Sequence, residues 1–285
     1  MLHLPAPTVT VRDVFSTSIS NVQDADLKRR LEACLPEIEA DTRDYESKAP
    51  LALLHTINRK TIINGNVTKD EMENVYTYRM VQREGRDYYT QFKRPIDDVD
   101  TCPFCGHFTV RTLDHYLPKA KHPSLAVTPT NLVPSCWDCN TSKNARTPAR
   151  SEEETLHPYF DNINDVQWLF GNVRHTEPVG VRYIIRAPVA ANPVLASRVQ
   201  EHFVAYNLGG VYSSQAGSKL RQIAGELSRL LQTQGSDAVR LQLMERAESC
   251  LEIHRNSWEG VLYQALAADD WYCSTGVLQQ PRSLN

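Results

Sequence analysis

Four of the chain's seven cysteines fall in two pairs of the same spacing, Cys102-Pro-Phe-Cys105 and Cys136-Trp-Asp-Cys139. Two such knuckles supply four thiolates, enough to close a tetrahedral shell around zinc at ~2.3 Å per bond. Four free buried cysteines would need both pairs to arise together by chance, and a thioredoxin-like redox pair would need a CxxC opening a helix inside a βαβ unit, which neither does. A shell filled by sulfur leaves no position for substrate, so this metal is expected to brace the fold, not to react.

The interval between the knuckles is unusual. Thirty residues separate Cys105 from Cys136, against the ~15–20 of simple two-knuckle zinc sites. The insert holds Leu113-Asp114-His115-Tyr116-Leu117-Pro118, then Asn131-Leu132-Val133-Pro134, and the second knuckle runs directly into Asn140 and Lys143.

This order of elements resembles the HNH nucleases of the ββα-metal class. The resemblance spans about fifty residues and implies a β-hairpin and short helix around one divalent metal, with the cysteines bracing both ends. It assigns the family's histidine to His115, the preceding acidic residue to Asp114, the middle asparagine to Asn131 and the third position to Asn140, an HNN variant. A residue in the place of Asn131 is expected to hold the histidine's backbone surroundings.

The chemistry of these residues agrees with that assignment. Hydrolysis of a phosphodiester needs water to lose a proton, and a neutral imidazole with a pKa near ~6.5 accepts one near neutral pH. His115 is the candidate base. A carboxylate and a carboxamide oxygen are hard donors suited to Mg²⁺ or Mn²⁺, which makes Asp114 and Asn140 the candidate ligands. Adjacent strand residues point to opposite faces, so Asp114 and His115 are expected to flank a phosphate from two sides. Lys143, three residues beyond Asn140, is expected to share its helix face and bring an ammonium near the phosphate. Lys119, Lys121, Arg146 and Arg150 are candidates for contacts to a nucleic-acid backbone, or simply a solvated basic surface.

The flanking sequence must position this centre. Leu27, Leu31, Leu35 and Ile38 recur at helical steps and predict one amphipathic helix over residues 21–47, ending before Pro50. Thr68 and Glu71 have capping-box spacing ahead of Met72, Val75 and Met80. Val173 to Ala187 contains a β-rich run (Val179, Val181, Tyr183, Ile184, Ile185) bounded by Pro178 and Pro188 and reads as a strand or small hairpin. Helices are expected near Pro193–Tyr206, Ser218–Leu231, Ser236–Ile253 and Ser257–Trp271. The expectation is an α+β chain in three segments: a helical region 1–98, a central ββα-metal HNH module 99–150 with structural zinc, and a mainly helical region 151–285.

Length and composition fit an ordinary globular protein: 285 residues, 41% hydrophobic, 23% charged and a net charge of −3. No apolar run approaches the ~20 residues of a membrane span, and no secretory signal pattern opens the chain, so the cytoplasm is the expected compartment. Cys34, Cys250 and Cys273 read as core or inert residues, His107 as a solvated turn residue, and His122 as a phosphate contact or without role. Trp168, Trp258, Trp271, Phe170 and Phe203 are spaced for packing.

Residues 101–150 carry six basic side chains (Arg111, Lys119, Lys121, Lys143, Arg146, Arg150) and two acidic ones (Asp114, Asp138), a net +4 against −7 elsewhere. That is a poor stand-alone binder of duplex DNA, because affinity rises with the number of phosphates neutralised. A protein partner is therefore expected to help deliver substrate. The layout, with His157-Pro158-Tyr159-Phe160-Asp161 after the central module, is similar to HNH proteins of bacterial antiviral systems such as the Septu nuclease subunit, which implies an ATPase partner. Two functions are expected to compete: a metal-dependent DNA endonuclease, and a non-catalytic zinc module that binds nucleic acid or protein.

Overall fold

The computed structural model describes residues 1–94, 100–143, 147–186 and 192–279. It is a mixture of helices and three small two-stranded sheets, mostly helical. The chain divides into two compact units, Met1–Asn162 and Ile163–Asn285. Segments 1–98 and 99–150 both lie in the first unit. Among the described residues no helix is long and apolar enough to cross a membrane.

The first unit opens with α1 (Val11–Ile19), which starts where the Thr10 side chain accepts the Asp13 N–H at 3.2 Å. Next come α2 (Ala25–Glu32), capped by Asp24, and α3 (Leu35–Lys48). The single helix expected over 21–47 is thus two helices. Pro36 lacks the N–H that would continue the ladder, and its ring would collide with the carbonyl a turn earlier, so the chain breaks around Ala33 and Cys34. A short hairpin, β1 (Ile62–Ile63) with β2 (Val67–Thr68), leads into α4 (Lys69–Asn74). There the expected capping box forms in both directions: Glu71 N–H donates to the Thr68 hydroxyl, and Thr68 N–H donates to the Glu71 carboxylate. The helix then widens into a π-helical turn, Val75–Met80, and α5 (Arg86–Lys93) follows.

The central hairpin pairs β3 (Thr112–His115) antiparallel with β4 (Leu132–Ser135), placing His115 opposite Leu132 and Asp114 opposite Val133. Helix α6 (Trp137–Lys143) follows directly. Leu113 and Leu132 of the hairpin join Val14, Phe15, Ile38, Met72, Val75 and Met80 in one buried cluster. Each such side chain contributes about 1.5–3 kcal/mol when buried. The N-terminal helices therefore hold the hairpin from behind and share its core.

In the second unit β5 (Leu169–Arg174) pairs with β6 (Gly180–Ile185). The expected strand region is a hairpin whose first strand begins four residues before the segment that the β-rich run marked. Asn256 anchors its start: Oδ1 accepts the Trp168 and Leu169 N–H groups at 2.8 and 3.1 Å, and Nδ2 donates to Val166 O at 2.9 Å. Helices α7 (Pro193–Ala205) and α9 (Ser236–Ile253) match expectation. Helix α8 (Leu208–Gln234) starts ten residues earlier than its apolar pattern suggests, running through Gly209, Gly210 and Gly217. The last expected helix is two, α10 (Trp258–Ala267) and α11 (Asp270–Ser274), because Asp269 turns the chain and caps the second by accepting the Tyr272 N–H. Trp168 is buried, as its spacing implies.

Candidate functional site

The four knuckle cysteines come together. Their sulfurs all lie within 4.8 Å of one another and all four residues are buried, among the described residues the one such group that could hold a metal ion. Tetrahedral coordination at ~2.3 Å per bond sets sulfurs ~3.8 Å apart, so the cluster fits zinc. Local backbone shapes each knuckle. In the first, Gly106 takes a left-handed φ of +60°, which costs glycine little, and its N–H donates to Cys102 O at 2.8 Å. Phe108 N–H then donates to Cys105 Sγ at 3.5 Å. In the second, Cys139 N–H donates to Cys136 Sγ at 3.4 Å on the first turn of α6. N–H groups aimed at sulfur favour the thiolate form that a metal requires.

The cysteines pin α6 beside β3, and between them opens a cleft of about 390 Å³. Asp114, His115 and Asn140 all line it. Strand alternation would separate Asp114 from His115, yet at the end of β3 both line the same cleft. His115 is held by Nε2, which donates to Ala126 O at 2.9 Å. That bond places the proton on Nε2 and leaves Nδ1 as the accepting nitrogen. Burial lowers the imidazole pKa to about 3, against the opposing effect of the Ala126 carbonyl, so the ring is neutral at physiological pH.

Asn131 has no exposed surface. Its Oδ1 accepts the Leu117 N–H at 2.7 Å, and its Nδ2 donates to Leu117 O at 3.0 Å and Leu125 O at 3.1 Å. It therefore ties the backbone two residues after His115 to Leu125, the residue next to the Ala126 whose carbonyl holds His115. It does not line the cleft.

Lys143 differs from expectation. Its ammonium is not among the groups lining the cleft but sits behind it, donating to Asp114 Oδ2 at 3.0 Å, His115 O at 3.0 Å and Tyr116 O at 2.7 Å. The side chains of Lys143 and Asp114 are both 7% exposed. Burial pushes the Asp114 carboxyl up and the Lys143 ammonium down, and their mutual attraction opposes both shifts. Helical spacing of i and i+3 sets Lys143 on the same side as Asn140, but the cage of two carbonyls and a carboxylate draws the flexible stem inward.

The proposed backbone contacts are dispersed. Lys119 lines the cleft and lies 3.5 Å from Glu73. Lys121 donates to the Thr147 hydroxyl at 2.6 Å, Arg150 pairs with Glu153 at 3.0 Å, and Arg146 lies outside the described residues. His122 is buried with neither ring nitrogen hydrogen-bonded among the described residues, which is not how a phosphate contact would sit.

Sequence reading missed Tyr76. From the π-helical turn Val75–Met80 its ring reaches the cleft and meets His115 edge-on, with centroids 4.3 Å apart at 74°. Within the segment its only signal was membership of an apolar stripe with Met72 and Met80. The motif after the module, His157 to Asp161, also has a role in the packing: His157 Nε2 bonds the Tyr45 hydroxyl at 2.8 Å, and the Tyr159 hydroxyl donates to Leu132 O at 3.0 Å, securing the back of β4.

Comparison with known proteins gives three findings. Residues 102–146 match the HNH endonuclease family, a stretch that contains all four cysteines, Asp114, His115, Asn131, Asn140 and Lys143. The chain is similar to "Protein ea31" of Escherichia phage lambda, 26% identical over 297 residues that cover 95% of this chain and 99% of the relative. No solved structure matches.

Proposed function

We propose that this protein is a metal-dependent endonuclease that hydrolyses phosphodiester bonds in DNA, using a ββα-metal centre of the HNN type formed by β3, β4 and α6. The observation that carries the reading is the convergence of Asp114, His115 and Asn140 on one cleft braced by the four cysteines. The HNH match over the same residues supports it.

His115 is the general base: Nε2 is committed to Ala126 O, and Nδ1 takes the proton of the attacking water. Asn131 is a positioning residue that fixes the backbone around that carbonyl. The carboxylate of Asp114 and the carboxamide oxygen of Asn140, both on residues lining the cleft, are hard donors and would hold Mg²⁺ or Mn²⁺. Such an ion, when bound, supplies Lewis-acid stabilisation of charge on the phosphate and departing oxygen. The four thiolates hold zinc as a structural brace. Lys119, at the cleft, is the basic residue best placed to meet a phosphate.

One observation favours the alternative of a non-catalytic zinc module: Asp114 already has a cation, the Lys143 ammonium. The two readings separate on supercoiled plasmid incubated with Mg²⁺ or Mn²⁺. The nuclease reading expects nicking by the wild type and a loss of about 10²-fold or more in His115→Ala, the range of general-base catalysis. Absence of nicking, or equal nicking by His115→Ala and Asn140→Ala, would leave the binding module. The relative is a phage protein, which lends no support to a place in a bacterial defence complex with an ATPase.

A further inference from the structure

Among the described residues lining the cleft, Tyr76 alone comes from outside the 102–146 stretch. It is 8% exposed. Its ring contacts are to His115 and Tyr89, and among the described residues its hydroxyl has no hydrogen-bond partner. A tyrosine this deeply set usually pairs its hydroxyl within the protein. Three other buried tyrosines of the same unit do so: Tyr45 bonds His157, Tyr116 bonds Thr155 O, and Tyr159 bonds Leu132 O. The Tyr76 hydroxyl is also not among the fully buried unpaired atoms, so it keeps contact with solvent, and the residue lines the cleft. A lone donor is thus held at the mouth of an acidic and basic cluster by a π-helical turn, a distortion that recurs at functional sites.

We propose that Tyr76 is a catalytic residue: its hydroxyl donates a hydrogen bond to a nonbridging oxygen of the phosphodiester being cut beside His115. The proposal rests on the nuclease reading and adds a component supplied by the N-terminal helical segment. A phosphodiester offers what the hydroxyl lacks, a charged acceptor at hydrogen-bond range of a cleft wall. Burial, followed by the nearby Tyr89 and Asp114, keeps the phenol protonated well above its ordinary range, so it acts as a donor. Charge grows on the phosphoryl oxygens as water attacks, and a fixed donor there acts more strongly on the transition state than on bound substrate. The edge contact with His115 lets one side chain both register the base and hold the phosphate.

The test uses the full-length, zinc-loaded chain. Plasmid nicking at saturating DNA with Mn²⁺ is compared for wild type, Tyr76→Phe and Tyr76→Ala, with zinc content and Tm measured on each. Tyr76→Phe keeps the ring against His115 and removes only the hydroxyl. The expected result is a fall of about 10²-fold in kcat for Tyr76→Phe, with Tm and zinc content unchanged and KM within about threefold. Full activity in Tyr76→Phe with loss only in Tyr76→Ala assigns the residue to packing and overturns the proposal, leaving the nuclease reading intact. A wild type that does not nick overturns both.

Discussion

Substituting Lys143 by Met probes the centre from behind. The side chain keeps its length and most of its volume, but three oxygens lose their donor: Asp114 Oδ2, His115 O and Tyr116 O. With both partners 7% exposed, water does not replace the ammonium. Removing one member of a buried pair typically costs about 3–5 kcal/mol, mostly the penalty of the charge left behind. The Lys143→Met protein is therefore expected to lose about 4 kcal/mol in urea unfolding followed by circular dichroism. Adding Asp114→Asn removes the stranded charge, so the double variant is expected to recover at least ~1 kcal/mol relative to Lys143→Met alone. A divalent cation offers Asp114 the other remedy. If Asp114 and Asn140 bind Mn²⁺, ion at about a hundred times its Kd stabilises Lys143→Met by ~2.7 kcal/mol, and this gain disappears in the double variant. A Lys143→Met protein within ~0.5 kcal/mol of the parent, or one indifferent to Asp114→Asn, would refute the reasoning.

Other outcomes follow from the same structure. Elemental analysis is expected to find one zinc per chain, lost with Cys102→Ser or Cys139→Ser and kept with Cys34→Ser; zinc retained in Cys139→Ser would contradict the four-sulfur site. Asn131→Asp replaces two N–H donors with an oxygen facing the Leu117 and Leu125 carbonyls, and a loss of ~3 kcal/mol in urea unfolding is expected, whereas near-parental stability would show that the clamp does not matter. Acid should weaken the first unit. Burial lowers His115 to about 3 and His122 to about 4, while in the unfolded chain both take up protons near ~6.5. Their stabilising effect is complete above that value and is lost as pH falls from ~6.5 toward the folded values, so Tm should drop between pH ~7 and ~4.5. His122→Leu should flatten part of that slope; a Tm that rises on acidification would contradict the burial of these rings.

How much of this was legible in the chain depends on how local each interaction is. The cysteine spacing, Asp114-His115 and Asn140 each sit where a short segment dictates their geometry, and they converge on one braced cleft. The Thr68 and Glu71 capping box is equally local and forms as its spacing implies. Tyr76 could not be read this way, since it reaches His115 across 39 residues of sequence and looks like any core aromatic within its own segment. The inward turn of Lys143 was hidden for a related reason: helical spacing fixes which face a side chain leaves from, but not the carbonyl cage that captures its end. Helix boundaries failed where one residue decides, as at Pro36, or where glycines carried inside a packed helix conceal its start, as in α8. The N-terminal segment shares its core with the central hairpin, in a buried cluster that joins residues such as Phe15 and Leu113 that no sequence period links.

The central claim is that a second metal position exists, distinct from the cysteine cluster, between Asp114 and Asn140. Anomalous diffraction from crystals of the zinc-loaded protein soaked in Mn²⁺, recorded on either side of the manganese and zinc edges, addresses it directly. The account predicts a zinc peak among the four sulfurs and a separate manganese peak in the cleft, within bonding distance of the Asp114 carboxylate. Manganese absent from the cleft at saturating concentration, with zinc alone at the cysteines, would contradict it.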